Sequence, residues 1–413
     1  MTLHEHRLPN GLRVQVEPRP GHGRGLVAVA LTVAAGSDLD PAGRHGTAHL
    51  VEHLMFPRGG AGRGHAARVA AAGGVCNAET HRDRTVLHTV APAAVLDAVL
   101  HGEARRLRDF APAPETLRTE TAVIAEEIRG AAAGGRLWET VLGALHPGGR
   151  DSYGTPAELA ATTVADAEGF VRRHYRPGAL ALTVVGEVDP APVLHRIQEL
   201  FGDFPPGAGP VPVAAPAPPP RTTARPTATA PLPAPAPAVA LGHLLPAPAH
   251  DLPAHLARVV LAEVLGRSRL PALVRADPRL TSARVTCGLY GQWLGARAPE
   301  PVLAVLGRAP GVRAEEAAAA WTEALHRIAD RPPTAGELRR ARNALLLAHH
   351  RGADSLTARA VTHGHLALLL PDAGGIDALP AALARTTGRQ VSTAARGLLT
   401  GPRSLTALGD GDA

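Results

Sequence analysis

Lysine is absent from this 413-residue chain: all 43 of its basic residues are arginine. Aromatic residues make up only 3%, and there are two cysteines, Cys76 and Cys287. Each shortage excludes something. Two distant cysteines offer no disulfide framework, and Cys76, with no second cysteine near it, reads as a small packed side chain. So few aromatics leave no platform on which bases could stack. The arginines are interleaved with acids and form no stripe, so the net charge of +6 does not read as nucleic-acid binding. With abundant Ala, Gly and Pro, arginine-only basicity instead fits GC-rich coding. No uninterrupted apolar run reaches the roughly 18–20 residues that span a bilayer. Residues 1–18 lack the apolar core of a secretory signal. The expectation is a cytoplasmic protein with neither a membrane nor a nucleic-acid partner. Hydrophobic residues, at 45%, suffice for full cores built on Ala, Leu and Val, and the length calls for two or more domains.

What the chain does have begins at His49-Leu50-Val51-Glu52-His53. Positions i, i+3 and i+4 of a helix lie on one face, so two imidazoles and a carboxylate point at one spot. Two neutral imidazoles suit Zn²⁺, and a free carboxylate beside the metal can take a proton from the attacking water. The order is H-x-x-E-H, the reverse of the commoner zinc-peptidase H-E-x-x-H. In a chain with 21 histidines, such a pair could also be two solvated side chains on an amphipathic helix. An open catalytic site needs a third protein ligand. A helical stretch downstream carries Glu120, Glu126 and Glu127. Glu120 and Glu127 are two turns apart and share a face, whereas Glu126 points about 100° away from Glu127. Spacing alone leaves either Glu126 or Glu127 as the ligand.

At this point the sequence resembles the pitrilysin/insulinase family of inverted-motif zinc peptidases, which includes the mitochondrial processing peptidase. The resemblance implies His49, His53 and Glu127 as ligands of one Zn²⁺ per chain. It also implies Glu52 as the base and Glu120 in a supporting catalytic role. Further landmarks match. Leu8-Pro9-Asn10-Gly11-Leu12 looks like the family's opening hairpin, and the apolar run 26–35 like its central strand. Gly73-Gly74-Val75-Cys76-Asn77-Ala78-Glu79-Thr80 resembles its substrate-binding edge strand, with Asn77 and Ala78 as substrate contacts. On residues alone, Asn77 would read as a turn residue after Gly-Gly. Tyr153-Gly154-Thr155-Pro156 and His174-Tyr175-Arg176-Pro177-Gly178 follow, ahead of an apolar strand at 179–185. The match is specific over the first 200 residues and weaker beyond.

Pro and Ala crowd residues 206–237, a composition suited to an extended spacer. The expected division is a catalytic zinc-binding domain at 1–205, this linker, and a related domain without metal at 238–413. The second half looks like a diverged copy of the first. Where the first carries its metal motif, the second has His255-Leu256-Ala257-Arg258-Val259-Val260, lacking the glutamate and the second histidine. His349-His350 and His363-Gly364-His365 make no recognisable metal set and read as solvent-facing or packed. The family likeness implies an α+β fold in which two α/β halves, each a mixed, mostly antiparallel sheet packed with helices, form a clamshell around a chamber. Related peptidases carry a substrate-holding arginine and, seven residues on, a tyrosine. Here Arg275 matches the arginine, but Ser282 stands at the second position, and Tyr290 lies eight residues too late. The resulting expectation is a zinc endopeptidase acting on peptides or small unfolded segments. It works as a dimer, most simply a heterodimer with a related chain bearing the arginine–tyrosine pair. A non-catalytic core subunit of an assembly is the alternative.

Overall fold

The apolar run at 26–35 becomes a central strand. In the computed structural model, which describes residues 2–21, 23–56, 64–132, 137–146, 149–210, 227–370 and 375–409, β3 (Leu26–Val33) is buried at every position after its first. A strand covered on both faces needs apolar residues on both, which explains the unbroken run. Around it lie β1 (His4–Arg7), β2 (Arg13–Pro18), β4 (Val75–Thr80), β5 (Thr85–Pro92) and β6 (Leu180–Gly186). Their order is β1-β2-β6-β3-β5-β4, which leaves β4 as an edge. Among the described residues of this sheet, only β2 and β6 pair parallel. Asn10-Gly11 makes the turn between β1 and β2: Gly11 N–H donates to Leu8 O at 2.9 Å, and Gly11 has φ +99°, where a side chain would be strained.

The second sheet comprises β7 (Thr227–Ala228), β8 (Ala238–Leu244), β9 (Leu280–Cys287), β10 (Pro301–Arg308) and β11 (Arg403–Leu408). Its order, β7-β11-β8-β10-β9, repeats that of β2-β6-β3-β5-β4, with the parallel pair again at the same place. The second half is thus a structural copy of the first, lacking a counterpart of β1 among the described residues.

Two compact units result, but their boundaries differ from the expected division. The first gathers Met1–Gly130, Ser152–Pro212 and Arg351–Ile376; the second gathers Ala131–Asp151, Val213–His350 and Asp377–Ala413. The helix Leu356–Leu369 belongs to the first sheet although it lies in the second half of the sequence. Ala360 packs there against Ala28, Ala30, Val86 and Val185. Conversely, the helix Leu137–Leu145 covers the second sheet, where a Cβ on Gly242 would come within 2.4 Å of Val141. The expected linker is also not wholly a spacer. Thr227 and Ala228 pair with β11, and Leu232 bridges to Leu408. Its stretch 211–226 lies outside the described residues.

An ion cluster fastens the returning helix. Glu17, buried on β2, accepts from Arg359 Nε at 2.5 Å and contacts His363 Nε2 at 2.8 Å. Burial opposes the charge of Glu17, yet the bonds from His363 and Arg359 prevail and hold its pKa down to about 2. Removing one partner of such a pair strands the other charge, so Glu17→Ala should cost about 3–5 kcal/mol in urea unfolding. Because the folded-state pKa is depressed, this stabilisation is present above the ordinary carboxylate range. Wild-type stability should therefore fall as pH drops from about 4.5 towards 2, and the variant should lack that component of the fall.

Candidate active site

The helix bearing the inverted motif, α1 (Thr47–Met55), starts where Gly46 takes φ +102°. Helix N-termini leave N–H groups without partners, and Asp40 meets two of them. Its carboxylate accepts from Gly46 N at 2.7 Å and Ala48 N at 2.8 Å. One turn in, His49 and His53 stand edge to face, with ring centroids 4.9 Å apart, and both are buried.

Each ring is held through Nδ1. His53 Nδ1 lies 3.1 Å from Oε2 of Glu120, a fully buried residue of α2 (Pro114–Ala132). His49 Nδ1 lies 3.3 Å from the Tyr153 carbonyl oxygen. An acceptor at Nδ1 places the ring proton there and turns the Nε2 lone pair outward. Both Nε2 atoms face the same carboxylate oxygen, Glu127 Oε2, at 3.6 Å each. Glu126 instead points outward from α2 and pairs with Arg129 at the surface. The structure therefore brings Glu127 to the histidines and leaves Glu126 away from them.

These three donor atoms all lie within 4.8 Å of one another. Ligands about 2.0–2.2 Å from a tetrahedral Zn²⁺ stand about 3.3–3.6 Å apart, so the set fits that ion. Burial pushes the His49 pKa down, partly offset by the nearby Glu52, which favours the neutral imidazole that a metal requires. Glu52 is half-buried and accepts from Thr80 Oγ1 at 2.6 Å.

Thr80 ends the edge strand β4. His81 N–H donates to Arg84 O, closing the β4–β5 hairpin as a hydrogen-bonded pair. Bonded and non-bonded pairs alternate from there, so Thr80↔Thr85, Ala78↔Leu87 and Cys76↔Thr89 are non-bonded pairs. The main-chain groups of Cys76, Ala78 and Thr80 thus point to the free edge. Their side chains share a face with Glu52, whereas Val75, Asn77 and Glu79 project to the other face and are exposed. Ala78 offers its main chain where an added strand would bind, while the Asn77 side chain points away from the α1 face.

Arg275 is exposed on the helix Leu270–Ala276 of the second unit, and Ser282 is exposed on β9, the edge of the second sheet. Tyr290 packs at a tilt against Trp138, with ring centroids 5.9 Å apart. The His255 ring is committed to main chain, its nitrogens 3.0 Å from Pro246 O and 2.5 Å from Trp293 O. Three residues given no role by sequence reasoning position the site: Asp40, Thr80 and Tyr153. Thr80 carried a signal, since strand alternation from Ala78 puts it on the same face, and Tyr153 stood in a family landmark that assigned it no role.

The sequence profile of the insulinase family (peptidase family M16) matches residues 22–139, and that of the M16 inactive domain matches residues 161–345. The chain belongs to this family. An uncharacterized zinc protease of Mycobacterium leprae is 31% identical over 47% of this chain and 45% of its own length. The probable mitochondrial-processing peptidase subunit beta of Arabidopsis thaliana is 27% identical over 47% of this chain and 38% of its own length. The match spans less than half the length of these curated relatives. Among solved structures, a protease from Helicobacter pylori aligns over 98% of this chain and 99% of its own, with TM-score 0.83 and 21% identity. A peptidase M16 inactive domain from Pseudomonas fluorescens aligns over 100% and 99%, with TM-score 0.82 and 17% identity. At those identities the likeness speaks to the fold alone. No helix among the described residues is long and apolar enough to cross a membrane.

Proposed function

We propose that this insulinase-family chain is a zinc endopeptidase cleaving peptides or small unfolded segments. One Zn²⁺ would be held by His49, His53 and Glu127. The observation carrying this reading is the convergence of two Nε2 atoms and one carboxylate oxygen, with both Nδ1 atoms already engaged. When bound, the metal supplies Lewis acidity towards the scissile carbonyl and the attacking water. Glu52 takes the proton of that water and passes it to the leaving amine. The bond from Thr80 fixes Glu52 Oε2 and leaves Oε1 to act. Glu120 locks the His53 tautomer, and β4 holds the peptide as an added strand through main-chain bonds that ignore side-chain identity.

The alternative, a non-catalytic subunit, draws on the match to an inactive domain. That match covers residues 161–345, whereas His49, Glu52, His53, Glu120 and Glu127 all fall within 22–139. The complete donor set favours the enzyme. Cleavage of an unstructured peptide, lost on chelation and restored by zinc, tests this reading.

The relatives named as processing-peptidase beta subunits support a two-chain enzyme. Losing one donor to the oxyanion commonly costs about 3–4 kcal/mol of transition-state stabilisation, and Ser282 supplies no phenol where related peptidases have tyrosine. Adding a related chain that carries the arginine–tyrosine pair should therefore raise turnover by about 10²-fold or more. Equal turnover with and without that chain, undiminished in Arg275→Ala, would exclude the heterodimer and remove Arg275 from substrate binding.

A further inference from the structure

A strand added to the free edge of β4 places some of its side chains on the face away from α1. Their neighbours there are Val75, Asn77 and Glu79, of which only Glu79 carries charge. Glu79 is half exposed. Its Oε2 lies 3.3 Å from His81 Nε2, while Oε1 lies 3.9 Å from His88 Nε2, beyond hydrogen-bond reach. The bond from His81 holds the Glu79 carboxyl below the usual range against the effect of burial. Burial pushes both His81 and His88 down, so neither supplies a full positive charge near neutral pH. Arg84, the nearby fixed cation, is buried and already faces the Asp83 carboxylate at 3.5 Å. This stretch of the edge is therefore negative, with one carboxylate oxygen open to a guest.

We propose that Glu79 is a specificity determinant: it favours peptides that set Arg or Lys beside it in the added strand and disfavours those that set Asp or Glu there. Side chains paired directly across two strands have Cβ atoms about 4.5–5.5 Å apart, where opposite charges attract and like charges repel. The inference rests on the reading of β4 as the strand that holds substrate.

The test is a peptide series with one variable position, Arg, Gln or Glu, scanned along the sequence around the cleavage site. The zinc-loaded chain and its Glu79→Gln and Glu79→Arg variants are compared. At one position the wild type should show a kcat/KM about three- to tenfold higher for Arg than for Glu. That ratio should flatten towards one in Glu79→Gln and invert in Glu79→Arg. Binding of the same peptides to the Glu52→Gln protein, read by fluorescence anisotropy, follows the preference without turnover. Cleavage with an Arg-to-Glu ratio that is the same in all three proteins overturns the inference and leaves the peptidase reading standing. Binding that keeps the Glu79-dependent preference while no peptide is cleaved supports the inference and counts against the peptidase reading. Absence of any peptide binding overturns both.

Discussion

Glu52→Gln should retain zinc and bind peptide with little change while kcat falls by about 10²–10⁴-fold. The substitution preserves size, and the amide oxygen still accepts from Thr80 Oγ1, which lies 2.6 Å from the native carboxylate. What it removes is the proposed base, and a general base typically contributes that magnitude, more when it acts as part of a unit. Because the proton moves only in the reaction, the loss belongs in kcat and not in KM. A combined loss of zinc and activity would instead show that Glu52 acts structurally, and near-normal turnover would remove it from the chemistry.

The second large effect concerns the proposed zinc ligands. His49→Ala, His53→Ala and Glu127→Ala should each lose metal as well as activity. Their zinc affinity should fall by more than the about 10–100-fold usual for a residue that only orients a ligand. Glu120→Gln belongs to that milder group. The amide can still face His53 Nδ1, 3.1 Å away in the native site, but is a weaker acceptor. Glu126→Gln should be indistinguishable from wild type, since that carboxylate is exposed and paired with Arg129. Metal analysis of the purified variants separates the cases. Full occupancy in Glu127→Gln together with loss in Glu126→Gln would move the third ligand by one residue.

The histidine pair was legible because its geometry is local: four residues on one helix bring two rings together wherever that helix sits. Glu127 is different. Spacing alone leaves Glu126 as its rival, and what separates them is the rotation of α2, which turns Glu120 and Glu127 inward and Glu126 out. Tyr153 stands in a family landmark, but its contact with His49 is not readable there, because it acts through a main-chain oxygen that any residue possesses. Asp40 reaches its N–H partners from an irregular segment, where no periodicity marks a residue as a cap.

The fold divides in the same way. The repeated sheet is what the family likeness implies, and the diverged second half agrees with it. The exchange of helices was not readable, because an amphipathic pattern tells that a helix covers something, not which sheet. Glu17 illustrates the limit. In Arg13–Pro18 it reads as an ordinary polar strand residue, and its partners, Arg359 and His363, stand more than 340 positions away. The cluster also answers how His363 is placed: packed, and bonded to a carboxylate.

The most direct test of the whole account is a zinc titration of peptide cleavage. The chelator-treated chain is mixed with an unstructured peptide, together with a related partner chain if turnover alone is weak, and zinc is added in steps. Cleavage should rise from nothing and saturate at one zinc per chain, with no rise in His53→Ala. Cleavage by the metal-free protein, or an undiminished rise in His53→Ala, would contradict the assignment.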